Sequence, residues 1–290
     1  MEFLLLAASV AASTTRSLLS KWASSSADSL ASFGRVNGVM SFFALIVITA
    51  YGLIAGMGGC SVFTVIMALL YAFFTLTAQL FYMRGLDCGD VSAVTFFYSC
   101  GFILPTFVGT FLYREPISLL RLVGIAVLVV AFWLCAGKSS AGDRARGRAW
   151  IGYAIAAMVS SGALGIIQKL HQSSAEYKVE LGSFLVIAFA ACTLASALMA
   201  LIRSSAKPPE QTAGNRFLLL CICGLCIGAA NILNLFLSGA LPALVFFPVV
   251  NGGVTVAASV AAIFIYGQKI TRRRAAGLIL GVAAILLIAC

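Results

Sequence analysis

Charge is what this sequence has least of. Of 290 residues, 10% are Asp, Glu, Lys or Arg and 62% are hydrophobic, with a mean hydropathy of +1.07. A soluble domain is about a quarter charged and needs that polar fraction to cover its surface. This chain cannot cover one, which excludes a soluble globular protein and leaves a fold with a lipid-facing exterior. Acidic residues are scarcer still. The nine of them, Glu2, Asp28, Asp87, Asp90, Glu115, Asp143, Glu176, Glu180 and Glu210, fall near the ends of apolar runs or between them. The one histidine, His171, is read as a loop residue, and a proton-relay role for it finds no support in the pattern. An intramembrane enzyme needs paired carboxylates, a Ser–His pair or metal ligands at membrane depth. Lacking these, the sequence predicts a protein that is not an enzyme and carries no metal or cofactor.

Other absences narrow the class further. The short alternating segments of a membrane β-barrel are missing, and unbroken runs such as Leu122–Ala136 and Leu181–Leu201 stand in their place. The N-terminal MEFLLLAASVAAS has no basic stretch before its apolar run and carries Glu2 instead, so it reads as a first span and not as a signal peptide. Eight of the nine cysteines lie inside apolar runs, including Cys221, Cys223 and Cys226 in FLLLCICGLCIGAA. They read as small packing residues and not as a disulfide framework or thiolate ligands.

What is present is a series of apolar segments. A spanning helix takes about 20 residues, and breaks at Gly, Pro and charge predict ten, near 2–21, 36–55, 62–84, 91–113, 119–137, 149–169, 182–202, 217–238, 243–266 and 274–290. The connections are too short for a soluble domain. The net charge of +10 would suggest nucleic acid in a soluble protein, but here the basic residues sort by connection. The odd-numbered connections and the end of the first segment hold 15 of the 19 Lys and Arg, among them Lys138, Arg144, Arg146, Arg148, Arg203, Lys207 and Arg272–Arg274. The even-numbered ones hold Arg114, Arg121, Lys169 and Lys178. The positive-inside rule predicts a multi-pass protein of the cell (inner) membrane, with odd connections in the cytoplasm and both termini outside. No nucleic-acid partner is expected. The expected partners are the bilayer and a small-molecule solute, with the protein a monomer or homodimer.

The chain also repeats itself. Ser13, Ser20 and Lys21 match Ser161, Gln168 and Lys169 at one constant offset. Gln79-Leu80-Phe81 parallels Asn234-Leu235-Phe236, and Ala93 with Phe96-Phe97 parallels Ala243 with Phe246-Phe247. Tyr113, Ile117, Ser118 and Gly124 fall on Tyr266, Ile270, Thr271 and Gly277. Their common order predicts a first five-helix repeat over 1–137, a basic connecting loop over 138–148 and a second repeat over 149–290. An odd number of helices per repeat inserts the two copies with opposite orientation, as in secondary transporters whose site lies between the halves.

These features resemble the drug/metabolite transporter superfamily in its ten-helix EamA-like form. The resemblance covers nearly the whole chain. It rests on Arg35 at the start of the second segment, Gly85-Leu86 to Ala93, Pro105, and the paired FLYREPISLLRLVGIAVLVVAFWLCAG and FIYGQKITRRRAAGLILGVAAILLIA. Members usually carry Gly-Glu before their fifth and tenth helices. Here Arg114-Glu115 keeps the Glu and Gly267-Gln268 the Gly, so Glu115 is the better candidate for a structural cap. The resemblance implies a transporter, usually an exporter of small metabolites or drugs. Its small multidrug-resistance relatives exchange protons at a glutamate within the first helix. This chain has none there, so that mechanism is not expected.

Polar residues inside a bilayer are costly, which makes their placement informative. They recur at helical spacing on six segments: Ser9, Ser13, Ser17 and Ser20; Tyr71, Thr75, Gln79 and Tyr82; Ser92, Thr95, Ser99, Thr106 and Thr110; Ser161 and Gln168; Asn231, Asn234 and Ser238; Asn251, Thr255 and Ser259. The fifth and tenth segments have almost none. A polar cavity among the six, with the other two outside, is the simplest arrangement. The alternative is helix-to-helix hydrogen bonding with no cavity. The amides of Gln79, Asn231, Asn234 and Asn251 are expected to resist satisfaction by their own helix. Phe97 and Phe247 are candidates to flank an apolar solute, beside Tyr98. Pro105 and Pro248 each free a backbone carbonyl. Lys169 is expected either to snorkel to the interface or, with Arg16, to attract an anionic group. Gly52/Gly56, Gly224/Gly228 and Gly277/Gly281 are read as close-packing pairs. The predicted substrate-binding set is Ser13, Gln79, Phe97, Tyr98, Ser161, Gln168, Lys169, Asn231, Asn234, Phe247, Asn251 and Thr255. The function expected is export of a small solute by alternating access, with a flippase for a lipid or lipid-linked anionic solute as the alternative.

Overall fold

The structure is a computed structural model. It describes residues 2–24, 29–88, 91–113, 118–135, 149–202, 213–266 and 271–289. Glu115, Gln268 and the basic residues of 138–148 and 203–207 lie outside these. The helices are α1 (Glu2–Ser24), α2 (Leu30–Ala55), α3 (Val62–Cys88), α4 (Val91–Ser99), α5 (Ile103–Tyr113), α6 (Leu119–Cys135), α7 (Ala149–Ser173), α8 (Leu181–Ala200), α9 (Ala213–Ala240), α10 (Ala243–Tyr266) and α11 (Arg272–Ala289). No strand occurs among the described residues. Seven helical spans among them are long and apolar enough to cross a membrane, and Leu119–Leu134 is a shorter apolar helix.

The side chains sort as a lipid-facing exterior requires. On α3, Ile66, Leu69, Leu70 and Phe73 are exposed while Thr64, Ala68, Tyr71 and Ala72 are buried. On α8, Leu194 and Leu198 point outward while Phe189, Cys192 and Ser196 are buried. The outward face is thus apolar, and hydroxyls and amides are turned inward.

The chain divides into two compact units. One comprises 1–73 and 171–236, the other 74–170 and 237–290, with the boundaries falling inside α3, α7 and α9. Each unit draws on both halves of the sequence. In the first, α2 packs along α8; in the second, α6 packs along α11, and α10 joins both α11 and α5.

Several boundaries differ from the hydropathy reading. The second helix starts at Leu30 and not near 36, because Ser29 caps it. Ser29 Oγ accepts from Ser32 N–H at 3.2 Å, and Ser32 Oγ accepts from Ser29 N–H at 2.8 Å. This reciprocal box satisfies two end donors and places Arg35 within the helix. That helix ends at Gly56 (φ +93°), so Gly52/Gly56 is not a helix-packing pair. An added Cβ at Gly56 would meet nothing. Near 100 the predicted continuous helix is broken. A 3-10 turn over Cys100–Phe102 separates α4 from α5, with Pro105 in the first turn after it. Pro105 removes the donor that would bond Gly101's carbonyl. That carbonyl would lie 2.9 Å from a Cβ at Gly162 of α7.

Glycine decides the tightest helix contacts. A Cβ at Gly34 would lie 2.6 Å from the Ser196 carbonyl oxygen of α8, and one at Gly224 would lie 2.5 Å from the Met40 carbonyl oxygen of α2. Gly228 meets Ala44's carbonyl in the same way, at 2.8 Å, so Gly224/Gly228 does form a close-packing pair. In the second unit a Cβ at Gly124 would meet Ile288 at 2.7 Å. Gly152, by contrast, faces open space. Gly34→Ala is therefore expected to lower stability by about 1–3 kcal/mol through overpacking, whereas Gly152→Ala is expected to raise it by up to about 1 kcal/mol through helix propensity. Thermal unfolding of both variants in detergent checks this.

Candidate functional site

In the first unit, two amides anchor a polar cluster on α9. Asn231 is buried and accepts the Tyr71 hydroxyl of α3 at Oδ1, at 2.7 Å, while its Nδ2 donates to the Ile227 carbonyl at 2.8 Å. One turn on, Asn234 Oδ1 accepts from the buried Ser9 hydroxyl of α1. Phe184 of α8 lies 5.4 Å from the Tyr71 ring. In the same unit Asn37 of α2 donates to Ser196 of α8 at 2.8 Å. Ser13, half-buried on α1, lies one turn from Ser9.

The expectation that these amides resist back-bonding is corrected for Asn231 and Asn251. Asn251 Nδ2 donates to the Phe247 carbonyl at 2.9 Å. A short amide reaches the carbonyl four residues back and still has its own oxygen for another donor, as the Tyr71 bond illustrates. Thr255 and Ser259 of α10 likewise donate to carbonyls one turn back, at 2.8 and 2.7 Å.

In the second unit Lys169 is buried, and Nζ donates to the Leu241 carbonyl at 2.9 Å. Leu241 follows the last residue of α9, where carbonyls lack intrahelical donors and the helix dipole favours a cation. The end of α9 thus supplies a partner for Lys169 Nζ. Its stem passes Gly109 of α5, where a Cβ would be 3.7 Å away. Gln168 beside it is buried and Gln79 half-buried. Phe247 is buried, with its ring edge-on to Phe246 at 4.8 Å. Phe247 and Pro105 both press on α7 at Gly165, where a Cβ would lie 2.9 and 2.6 Å from them. Ser161 packs against Gly101 of the 3-10 turn, 3.1 Å from a Cβ there. On α4, Tyr98 lies 4.7 Å from Tyr82, whose hydroxyl is 3.1 Å from Thr95. Phe97 stands 6.4 Å from Trp150.

The predicted set thus divides. Ser13, Asn231 and Asn234 belong to the first unit. Gln79, Phe97, Tyr98, Ser161, Gln168, Lys169, Phe247, Asn251 and Thr255 belong to the second.

The sequence reading missed one cluster altogether. His171 is not in a loop: α7 runs on to Ser173, and the imidazole is fully buried in the first unit. Its Nε2 lies 2.9 Å from Thr64 Oγ1, and the Gln172 amide donates to Nδ1 at 3.0 Å. Phe63 stacks on the ring at 6.2 Å and Phe184 lies over it at 4.5 Å. Thr64 Oγ1 is 3.2 Å from Ser61 Oγ, which donates to Glu180 Oε2 at 2.8 Å. The Ser61 N–H donates to the same oxygen at 3.0 Å. Glu180 is a buried acid at the start of α8. The only sequence signal was a pair of ionisable residues flanking one short connection.

No family model and no curated protein matches the sequence. The fold is shared with solved structures. A protein of known crystal structure, 14% identical, superposes with a TM-score of 0.76, covering 99% of this chain and 95% of its own. At that identity the likeness shows the fold alone.

The Tyr71–Asn231 bond is suited to a double-mutant cycle. Y71F and N231A are expected to couple by about 0.6–1.7 kcal/mol, the range for hydrogen bonds between membrane helices. Unfolding free energies of the two single variants and the double variant in mixed micelles measure it.

Proposed function

We propose that this chain is a secondary transporter of the drug/metabolite type. It would have ten membrane spans arranged as two inverted five-helix repeats, and would move a small, partly apolar metabolite or drug-like solute outward by alternating access. The observation that carries the reading is the pairing of α2 with α8 and of α6 with α11. Counting α4 and α5 as one interrupted span, these are the second and seventh spans and the fifth and tenth. Each helix therefore packs along its own counterpart in the other repeat, as helices near a pseudo-two-fold axis do. The inward-facing amides and hydroxyls of α1, α3, α7 and α9 support it further, because polar groups in such helices line substrate paths as well as helix contacts. Ser13, Gln79, Ser161, Gln168, Asn231, Asn234, Asn251 and Thr255 would supply hydrogen bonds to the solute. Phe97, Tyr98 and Phe247 would supply apolar faces, and Lys169 a positive field.

The flippase reading asks Lys169 for a phosphate head group. One of that ammonium's three donors is given to the Leu241 carbonyl, and the solute transporter asks only for its field.

Flux in proteoliposomes over a panel of amino acids, nucleosides and drugs tests the proposal. At least one solute is expected to move, with the rate about tenfold lower in an N231A/N234A double variant, equivalent to about 1.4 kcal/mol. No flux for any solute, with wild type and variant alike, would count against it.

A further inference from the structure

The cluster around His171 belongs to no polar stripe and to none of the solute contacts proposed above. It joins three parts of the first unit. The α2–α3 loop enters through Ser61, the first turn of α3 through Phe63 and Thr64, and the end of α7 with its connection to α8 through His171, Gln172, Tyr177 and Glu180. The loop is held in place by backbone as well. Ser183 N–H and Oγ both donate to the Met57 carbonyl, at 3.3 and 2.9 Å. A Cβ at Gly58 (φ +72°) would lie 2.0 Å from the Val179 carbonyl oxygen.

We propose that His171, enclosed by Phe63 and Phe184 and linked to Glu180 through Thr64 and Ser61, is a proton-binding site. As the coupling site for solute movement it rests on the transporter reading; as a proton site it does not.

Three features fit this chemistry. First, hydrogen bonds join the ring to the carboxylate. The Gln172 NH2 stands at Nδ1 as a donor, so the neutral ring carries its proton on Nε2 and gives it to Thr64 Oγ1. Thr64 Oγ1 also accepts from Ser61 Oγ, and the Glu180 carboxylate takes bonds from both hydroxyls. Second, the positions can accommodate the charged form. Binding one proton at Nδ1 makes that nitrogen a donor, and the Gln172 side chain, turned over, offers its carbonyl oxygen in place of its NH2. Thr64 keeps accepting from Nε2. Third, the positive charge has compensation. The Phe184 ring, 4.5 Å away, stabilises a cation, and the Glu180 carboxylate balances it across the hydroxyls. The other charged groups around the ring do not take this role. On the connection Glu176 and Lys178 are exposed, and on α7 itself Lys169 is bound to Leu241. The loop and the first turn of α3 bring hydroxyls and aromatic rings but no charge. The site lies at helix ends and not at mid-span.

Because His171 is the only histidine, its imidazole can be followed alone. The full-length protein, labelled with 15N-histidine in micelles, is titrated from pH 8 to pH 4. The neutral Nε2–H tautomer is expected at pH 8, converting to imidazolium in one step as the pH falls. Glu180→Gln keeps the acceptor but removes the charge, and is expected to displace the midpoint by about half a pH unit or more. Thr64→Val breaks the link and is expected to alter the tautomer balance. A midpoint and tautomer unchanged in both variants would overturn the proposal. So would a response to sodium at fixed pH in place of the response to pH. These readouts need no transport, so they decide the site even if no solute is found to move. With a transported solute in hand, pH-gradient-driven uptake is expected to fall at least about tenfold in His171→Gln, while solute exchange at equal pH persists. Equal loss of both would overturn the coupling role alone.

Discussion

A buried polar group in a helix surrounded by hydrocarbon must find its partner inside the protein, because no water is present to supply one. That constraint organises the structure. Tyr71 reaches Asn231, Ser9 reaches Asn234, Asn37 reaches Ser196, and Lys169 takes the terminal carbonyl of α9. Each bond ties helices that are distant in sequence. In a chain whose outer faces are as apolar as its core, these bonds supply the directional information that hydrophobic burial cannot.

The second determinant is close approach of backbones. Without a hydrophobic force between helices already in lipid, packing contacts must supply association. Gly34, Gly224 and Gly228 remove the atoms that would hold α2 away from α8 and α9, and Gly124 does the same between α6 and α11. The contacts are to main-chain carbonyls or short side chains. Polar pairing fixes which helices meet, and glycine fixes how closely.

Much of this was legible in the sequence. The hydropathy runs locate the helices to within a few residues, because a long apolar run has one stable form in lipid. The exceptions are local chemistry that hydropathy does not register. Ser29 extends α2 backward by capping it, Gly56 ends it, and Cys100–Phe102 tightens into a 3-10 turn ahead of Pro105. The polar stripes pointed to Tyr71, Asn231 and Asn234, and spacing alone could not say which would be partners. The His171–Glu180 cluster was not legible. Its members lie in four short pieces between residues 61 and 184, each ordinary alone. The helix that carries His171 continues four residues past the predicted end because the buried imidazole finds partners there.

Gly52 and Gly58 flank the end of α2, yet they differ in what crowds them. At Gly52 a new Cβ would meet the flexible Met57 side chain, with Sδ 2.6 Å away. A shorter residue at 57 would relieve it, so the position can drift in company with its neighbour. At Gly58 the crowding atom is the carbonyl oxygen of Val179, which every amino acid at 179 carries. No exchange of side chain elsewhere can restore the space. Over evolutionary time Gly52 is free to covary with position 57, whereas Gly58 has no compensating partner and can only stay as it is.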